Sequence, residues 1–166
     1  MSAPIILGIA VTRHQVGLVV LTVERLERHE IIGLDGDAPL ERLDAKVRQI
    51  VSAHGPNRAA LTCPRAREST PIVAAVRERL GPLLGLTVRH DELVAQARRT
   101  DQPPTNRARA RAYTQRYPDL RSRIPALPPL RAIRTAFERH HEVLFRALLL
   151  ADLTLIASLT PELPLL

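Results

Sequence analysis

The chain has 166 residues, of which 45% are hydrophobic, 25% charged and 2% aromatic. This length and composition are typical of one globular domain, so we predict a single domain over residues 1–166. The one cysteine, Cys63, excludes an internal disulfide and a cysteine-based zinc site. The chain starts without a secretory pattern, and the longest apolar run, Ala147–Leu159, is too short for a membrane span and contains Asp152. We therefore expect a cytoplasmic protein with no membrane partner.

The formal net charge of +7 is concentrated in one segment. Residues Arg98–Arg123 include eight arginines and two acids, and Lys46 is the only lysine among the 24 basic residues of the chain. Because arginine makes bidentate contacts with phosphate, the segment predicts a sequence-independent nucleic-acid contact. A plain solvated surface with the arginine bias of a GC-rich genome is the alternative. The candidate contacts are Arg98, Arg99, Arg107, Arg109, Arg111, Arg116, Arg121 and Arg123.

The first third of the chain reads as an antiparallel meander. The unbroken apolar run Ile5–Val11 predicts a strand buried on both faces and therefore central in its sheet. Two further strands are predicted at Val16–Val23 and Glu27–Leu34. From Pro39 the apolar spacing becomes helical, and this helix is expected to stop at His54–Asn57, where a glycine stands in the usual C-terminal place.

The middle of the chain alternates strands and helices, which is typical of parallel crossovers. The predicted elements are a strand at Ala59–Thr62, a helix at Pro71–Leu80 capped by Ser69 or Thr70, a strand at Leu86–Arg89, and a helix capped by Asp91 that continues to Ala97.

The last third predicts a loop-rich excursion followed by a long helix. Residues Arg99–Pro129 contain many prolines and few apolar residues, so we expect a mobile excursion, with a helix at Arg107–Arg116. Leu130–Leu159 is predicted to be one helix whose second half is apolar all round and therefore buried. The fold class is α/β, with a mixed five-stranded sheet flanked by helices and a long C-terminal helix.

Four short motifs in this order resemble the RNase H-like fold, and within it the RuvC-type Holliday-junction resolvases and the YqgF-type nucleases. They are Ile6-Leu7-Gly8-Ile9 followed by Gly17, Ala60-Leu61-Thr62-Cys63-Pro64, Val88-Arg89-His90-Asp91-Glu92-Leu93, and Ala151-Asp152-Leu153-Thr154-Leu155-Ile156-Ala157. Together they span roughly residues 5–160.

The resemblance implies hydrolysis of phosphodiesters by two Mg²⁺ or Mn²⁺ ions held by three or four carboxylates. Glu92 and Asp152 match acids of that pattern and are the candidate catalytic and metal-binding residues. However, Ala10 and Thr62 stand where acids are expected, and Leu149, one turn before Asp152, is not a second acid. The resemblance therefore implies a degraded nuclease site.

Three functions remain open at this point. The leading one is a nucleic-acid-binding protein, for DNA or structured RNA, whose nuclease site is degenerate. The second is an active structure-selective endonuclease that uses Mg²⁺ or Mn²⁺. The third is a non-catalytic assembly protein that forms a homodimer through Ala147–Leu159. Ala10 is either natural or an engineered replacement of an aspartate, and Thr62 and Leu149 favour the natural origin.

Overall fold

The computed structural model describes residues 2–65, 67, 69–83, 86–100, 102–103, 106–122 and 136–160. The strands in these residues are β1 (Ile5–Val11), β2 (Gln15–Thr22), β3 (Leu26–Gly33), β4 (Arg58–Cys63) and β5 (Leu86–Arg89). The helices are α1 (Pro39–His54), α2 (Pro71–Leu80), α3 (His90–Arg99), α4 (Asn106–Arg116) and α5 (Ala136–Leu159). Short 3-10 turns follow α2 at Gly81–Leu83 and α4 at Pro118–Ser122.

The strands form one mixed sheet in the order β3-β2-β1-β4-β5. β1 pairs antiparallel with β2, β2 pairs antiparallel with β3, and β4 and β5 continue parallel to β1 on the other side. The predicted mixed five-stranded sheet with a central first strand is confirmed. The predicted bounds of β2 and β3 are one residue too late at both ends.

The two faces of the sheet bury two separate hydrophobic clusters. Alternate residues of β1 point to opposite faces, so Leu7 and Ile9 join the cluster that includes Leu43 of α1 and Val76 of α2. Ile6 and Ala10 point to the other face, where they join the cluster that includes much of α5. This second face carries the positions at which the sequence predicts a site.

Two glycines let α5 lie directly on the sheet. A Cβ atom on Gly8 would lie 2.5 Å from the carbonyl oxygen of Ala147, and one on Gly17 would lie 2.6 Å from that of Val143. Residues 147–155 of α5 are buried, as predicted, whereas residues 156–158 are only partly buried and Leu159 is exposed. The predicted start of this helix at residues 130–135 lies outside the described residues. Among the described helices, none combines the length and apolar character needed to cross a membrane.

The described part of the predicted excursion packs against the core, and its predicted helix at Arg107–Arg116 is confirmed as α4, which begins one residue earlier. The segment 106–122 forms α4 and a 3-10 turn, and it contributes Ala110, Tyr113, Tyr117 and Leu120 to the cluster under α5. The segment has too few apolar residues for a core of its own, and its two tyrosines instead pack into the core of the domain.

The predicted cap of α3 is also wrong. The helix begins at His90 and Arg89 is its N-cap, so Asp91 lies inside the first turn. Glu92 caps this end of the helix, because its carboxylate accepts a hydrogen bond of 3.1 Å from the backbone N–H of Arg89.

Candidate functional site

The parallel strands β1, β4 and β5 all end at one edge of the sheet, which we call the carboxyl edge. Near this edge Ala10 pairs in register with Thr62, and Thr62 pairs with Val88. Ala10 is fully buried, and both Thr62 and Val88 are 2% exposed. The Thr62 hydroxyl is the one polar side-chain group in this row, and it has no hydrogen-bond partner among the described residues. The row therefore offers no carboxylate oxygen.

Asp152 lies buried on α5 and is fully engaged by neighbouring side chains. One carboxylate oxygen accepts hydrogen bonds from Gln102 Nε2 at 3.2 Å and from the Tyr113 hydroxyl at 3.3 Å. The other oxygen accepts from the guanidinium of Arg116 at 3.2 Å. Burial, followed by the nearby charge of Asp152, holds the pKa of Tyr113 well above its usual range. The phenol is therefore a hydrogen-bond donor at neutral pH.

Glu92 lies at the start of α3, whereas Asp152, on α5, lies near the end of α3. It belongs to the first turn, next to the end of β5, and binds both the backbone and the guanidinium of Arg89. Asp152 instead contacts Gln102, which follows the last turn of α3. Because ten helical residues extend over about 15 Å, the two candidate acids point to different ends of the helix. The structure does not bring them together.

Next to the Ala10 row, α5 presents the turn at Val143 and Leu144, and the buried His141 stands just before it. Gly17 pairs with Ala10, and a Cβ atom on it would touch the backbone of Val143 and Leu144. Asp152 lies two helical turns beyond these residues, about 12 Å further along the axis. The sequence motif around Asp152 therefore marks a part of α5 that is distant from the Ala10 row.

These residues do not fit the two-ion centre that the resemblance implies. Such a centre needs several carboxylates around one point. The Ala10 row supplies a single neutral hydroxyl, Asp152 is bound to Arg116, and Glu92 caps α3. In the described part of the chain, no group of three or more His, Cys, Asp or Glu side chains is arranged to hold a metal ion.

The eight candidate arginines divide into exposed and buried groups. Arg98, Arg99 and Arg121 are exposed, and the Arg116 side chain is 52% exposed. Arg107 and Arg109 are 9% and 5% exposed, Arg111 is intermediate, and Arg123 lies outside the described residues. Burial lowers the pKa of Arg109, whose guanidinium donates a hydrogen bond of 2.9 Å to the carbonyl of Pro103.

The exposed members of this group lie toward one end of the domain. Arg98 and Arg99 form the last turn of α3, next to Gln102, and Arg116 ends α4. Gln102 and Arg116 both bind Asp152, which brings the ends of α3 and α4 together. We call Arg98, Arg99, Arg116 and Arg121 the helix-end arginines.

The sequence analysis missed a second basic surface at the carboxyl edge. Four exposed arginines follow or end the three parallel strands, and they are Arg13, Arg65, Arg67 and Arg89. Asp91 lies 3.9 Å from Arg65 and 3.7 Å from Arg89, so it holds two of them side by side. The sequence could have indicated this surface, because all four arginines come at or just after the ends of predicted strands, and the ends of parallel strands lie at one edge of the sheet. We call these four residues the edge arginines.

Sheet order, the parallel crossovers and the long last helix give the chain an RNase H-like α/β fold that resembles the fold of RuvC. The structure of Thermus thermophilus RuvC in complex with a Holliday-junction substrate matches with a TM-score of 0.60 and 16% identity, over 93% of this chain and 97% of that chain. A second structure of Thermus thermophilus RuvC matches with a TM-score of 0.53 and 15% identity over the same shares. No protein-family model and no curated protein matches the chain. The likeness therefore establishes the fold.

Proposed function

We propose that this protein binds nucleic acid through its exposed arginines and does not cleave it by two-ion catalysis. The observation that carries the proposal is the row Ala10–Thr62–Val88, which is buried and carries no acid at the level where a RuvC-type enzyme would need one. The ligand class rests on the fold likeness and on the charge of the surface.

Two surfaces support phosphate binding. The helix-end arginines come from the segment that carries most of the positive charge of the chain. The edge arginines lie where open α/β sheets commonly bind their ligands, outside the carboxyl ends of the parallel strands. Aromatic stacking contributes little, because Tyr113 and Tyr117 are 3% and 7% exposed. Binding is therefore expected to depend on phosphate charge rather than on base identity.

The structure weakens the two alternative functions. An active endonuclease would need a set of acids that the described residues do not assemble. An assembly surface along Ala147–Leu159 would need exposed apolar side chains, but residues 147–155 are buried inside the domain. The homodimer stays a prediction that light scattering at several concentrations tests.

The test is binding and cleavage on four-way-junction DNA, linear duplex DNA and structured RNA, with Mg²⁺ or Mn²⁺ present. We expect binding that weakens steeply with salt, and no cleavage. Arg98→Gln/Arg99→Gln and Arg13→Gln/Arg67→Gln remove two charges from each surface. Arg48→Gln/Arg77→Gln is the matched control, because these arginines are exposed on α1 and α2, which pack on the other face of the sheet.

Each of the two double substitutions on the proposed binding surfaces should make the slope of log K against log salt less steep by up to about 1.8. The reason is that each neutralised phosphate contributes about 0.9 to this slope. The control pair should leave the slope nearly unchanged. No binding at low salt, or equal losses in all three pairs, would contradict the proposal. Metal-dependent cleavage by the unmodified chain would contradict its second half.

A further inference from the structure

We propose that Glu142 and Asp152 are positioning residues that clamp the two ends of α4 onto α5, with the Arg116 guanidinium serving Asp152 as an internal cation. The two acids are ten residues apart on α5, and their partners Asn106 and Arg116 are ten residues apart on α4. The spacings match because the two helices run side by side in the same direction. This inference does not depend on nucleic-acid binding.

The first anchor is at the start of α4. The side-chain amide of Asn106 donates a hydrogen bond of 2.8 Å to the carboxylate of Glu142. Arg146, one turn later on α5, donates to the same carboxylate oxygen at 2.8 Å. Arg109 donates to the Asn106 side-chain oxygen, so the amide is held from both sides. Glu142 is only 15% exposed, which strengthens these contacts relative to a surface pair.

The second anchor is at the end of α4. Tyr113 and Arg116, both on α4, bind the two oxygens of Asp152. The Arg116 guanidinium also lies 5.2 Å from the centre of the Tyr117 ring, a cation–π contact that fixes its direction. Asp152 is 2% exposed, and a buried carboxylate is stable only when its charge is compensated. Arg116 supplies that compensation from within the chain.

Polar anchors are needed because α4 has little apolar surface with which to dock. Its sequence, NRARARAYTQR, contains one large hydrophobic residue, Tyr113, and four arginines. Packing alone therefore gives this helix a weak hold on the sheet. Helix α5, by contrast, is held by apolar side chains between Val143 and Leu155. Two charged, hydrogen-bonded anchors supplement the apolar contacts of α4.

Hydrogen–deuterium exchange of the intact protein tests the clamp, read by mass spectrometry on peptides from 106–122 and from β1. Asp152→Asn and Glu142→Gln should each accelerate exchange in α4 by roughly fivefold, the effect expected when a charged hydrogen bond is replaced by a neutral one. Exchange in β1 should rise by no more than this factor, because the anchors are lost in global unfolding as well as when α4 opens locally. Arg116→Lys should lie between the unmodified protein and Arg116→Met.

Asp44→Asn is the matched control. Asp44 is another largely buried acid, 18% exposed, and it pairs with Arg79 at 2.6 Å without touching α4. Unchanged α4 exchange in an Asp152→Asn/Glu142→Gln double variant, or an equal rise in Asp44→Asn, would overturn the clamp. Millimolar Mg²⁺ or Mn²⁺ should leave α4 exchange unchanged. Slower exchange with Mn²⁺ in the unmodified protein but not in Asp152→Asn would show that Asp152 binds metal, and would overturn the role of Arg116 as its cation.

Discussion

Because Asp152 and Arg116 form an ion pair in which only the acid is buried, we expect Arg116→Met to lower the free energy of unfolding more than Asp152→Asn does. At 3.2 Å and an effective dielectric constant of about 20, the attraction is about 5 kcal/mol. Arg116→Met leaves a carboxylate that is 2% exposed without its cation, a change that costs about 3–5 kcal/mol in buried pairs. Because water screens the half-exposed Arg116, we expect a loss near the lower limit, about 3 kcal/mol in the free energy of unfolding.

Asp152→Asn should cost less, about 1 kcal/mol, because the freed guanidinium can turn to water while the new side-chain amide keeps neutral hydrogen bonds. The double variant should be more stable than Arg116→Met alone, since it holds no unpaired buried charge. Urea denaturation at neutral pH measures all three changes through the midpoint at constant m. Arg121→Met, an exposed arginine in the same segment, is the control and should change stability by less than about 0.5 kcal/mol. An Asp152→Asn loss equal to or larger than the Arg116→Met loss would refute this reasoning.

Three further predictions concern other parts of the core. Burial raises the pKa of Cys63 to about 11 from an ordinary 9.0, so at pH 8 its reaction with a disulfide reagent should be at least about 100-fold slower in the native protein than in urea; comparable rates would contradict the buried strand. Burial and the charge of Asp152 raise the pKa of Tyr113, so the native state favours the protonated phenol and loses this stabilisation as the pH rises above about 10. Tyr113→Phe should flatten the alkaline limb of a stability–pH curve, and an unchanged limb would contradict the assignment. Gly8→Ala should cost about 2 kcal/mol, because the new Cβ meets the backbone of α5 at 2.5 Å, while Gly33→Ala, which meets nothing within 4 Å, should be nearly neutral in the same thermal melts.

The sheet could be predicted from the sequence because hydrophobic period and turn residues determine it locally. The run Ile5–Val11 is unbroken because β1 is central and buried on both faces. Gly55, at a positive φ of 57°, ends α1 where the sequence placed its end. Pro71 after Thr70 likewise marked the start of α2, and Thr70 caps it by accepting a hydrogen bond from the backbone N–H of Val73.

The site could be predicted only in part, because a short motif does not show which turn of a helix packs against a given row of the sheet. The motif around Asp152 looks like the acidic end of a RuvC-type last helix, yet α5 lies on the sheet so that Val143 and Leu144 meet the Ala10 row instead. The burial of Arg107 and Arg109 could not be predicted either, because a charged residue is buried only where tertiary contacts pair it, and the local sequence does not show these contacts.

The edge arginines illustrate the opposite case, in which separate positions converge. Arg13, Arg67 and Arg89 are far apart in sequence, and each looks like an ordinary surface charge. They lie at the same edge of the sheet because β1, β4 and β5 are parallel. Counting charges along the chain finds only arginines that are close in sequence, so it does not detect such a surface.

Cleavage of four-way-junction DNA should be assayed first, with saturating protein and Mg²⁺ or Mn²⁺, for the unmodified chain, for Asp152→Asn and for Ala10→Asp/Thr62→Glu. Binding should be measured in the same samples at low salt. We expect salt-dependent binding and intact substrate with the unmodified chain, whatever the double variant does. Metal-dependent cleavage by the unmodified chain that disappears in Asp152→Asn would contradict this expectation, because Asp152 would then be a catalytic ligand rather than the partner of Arg116.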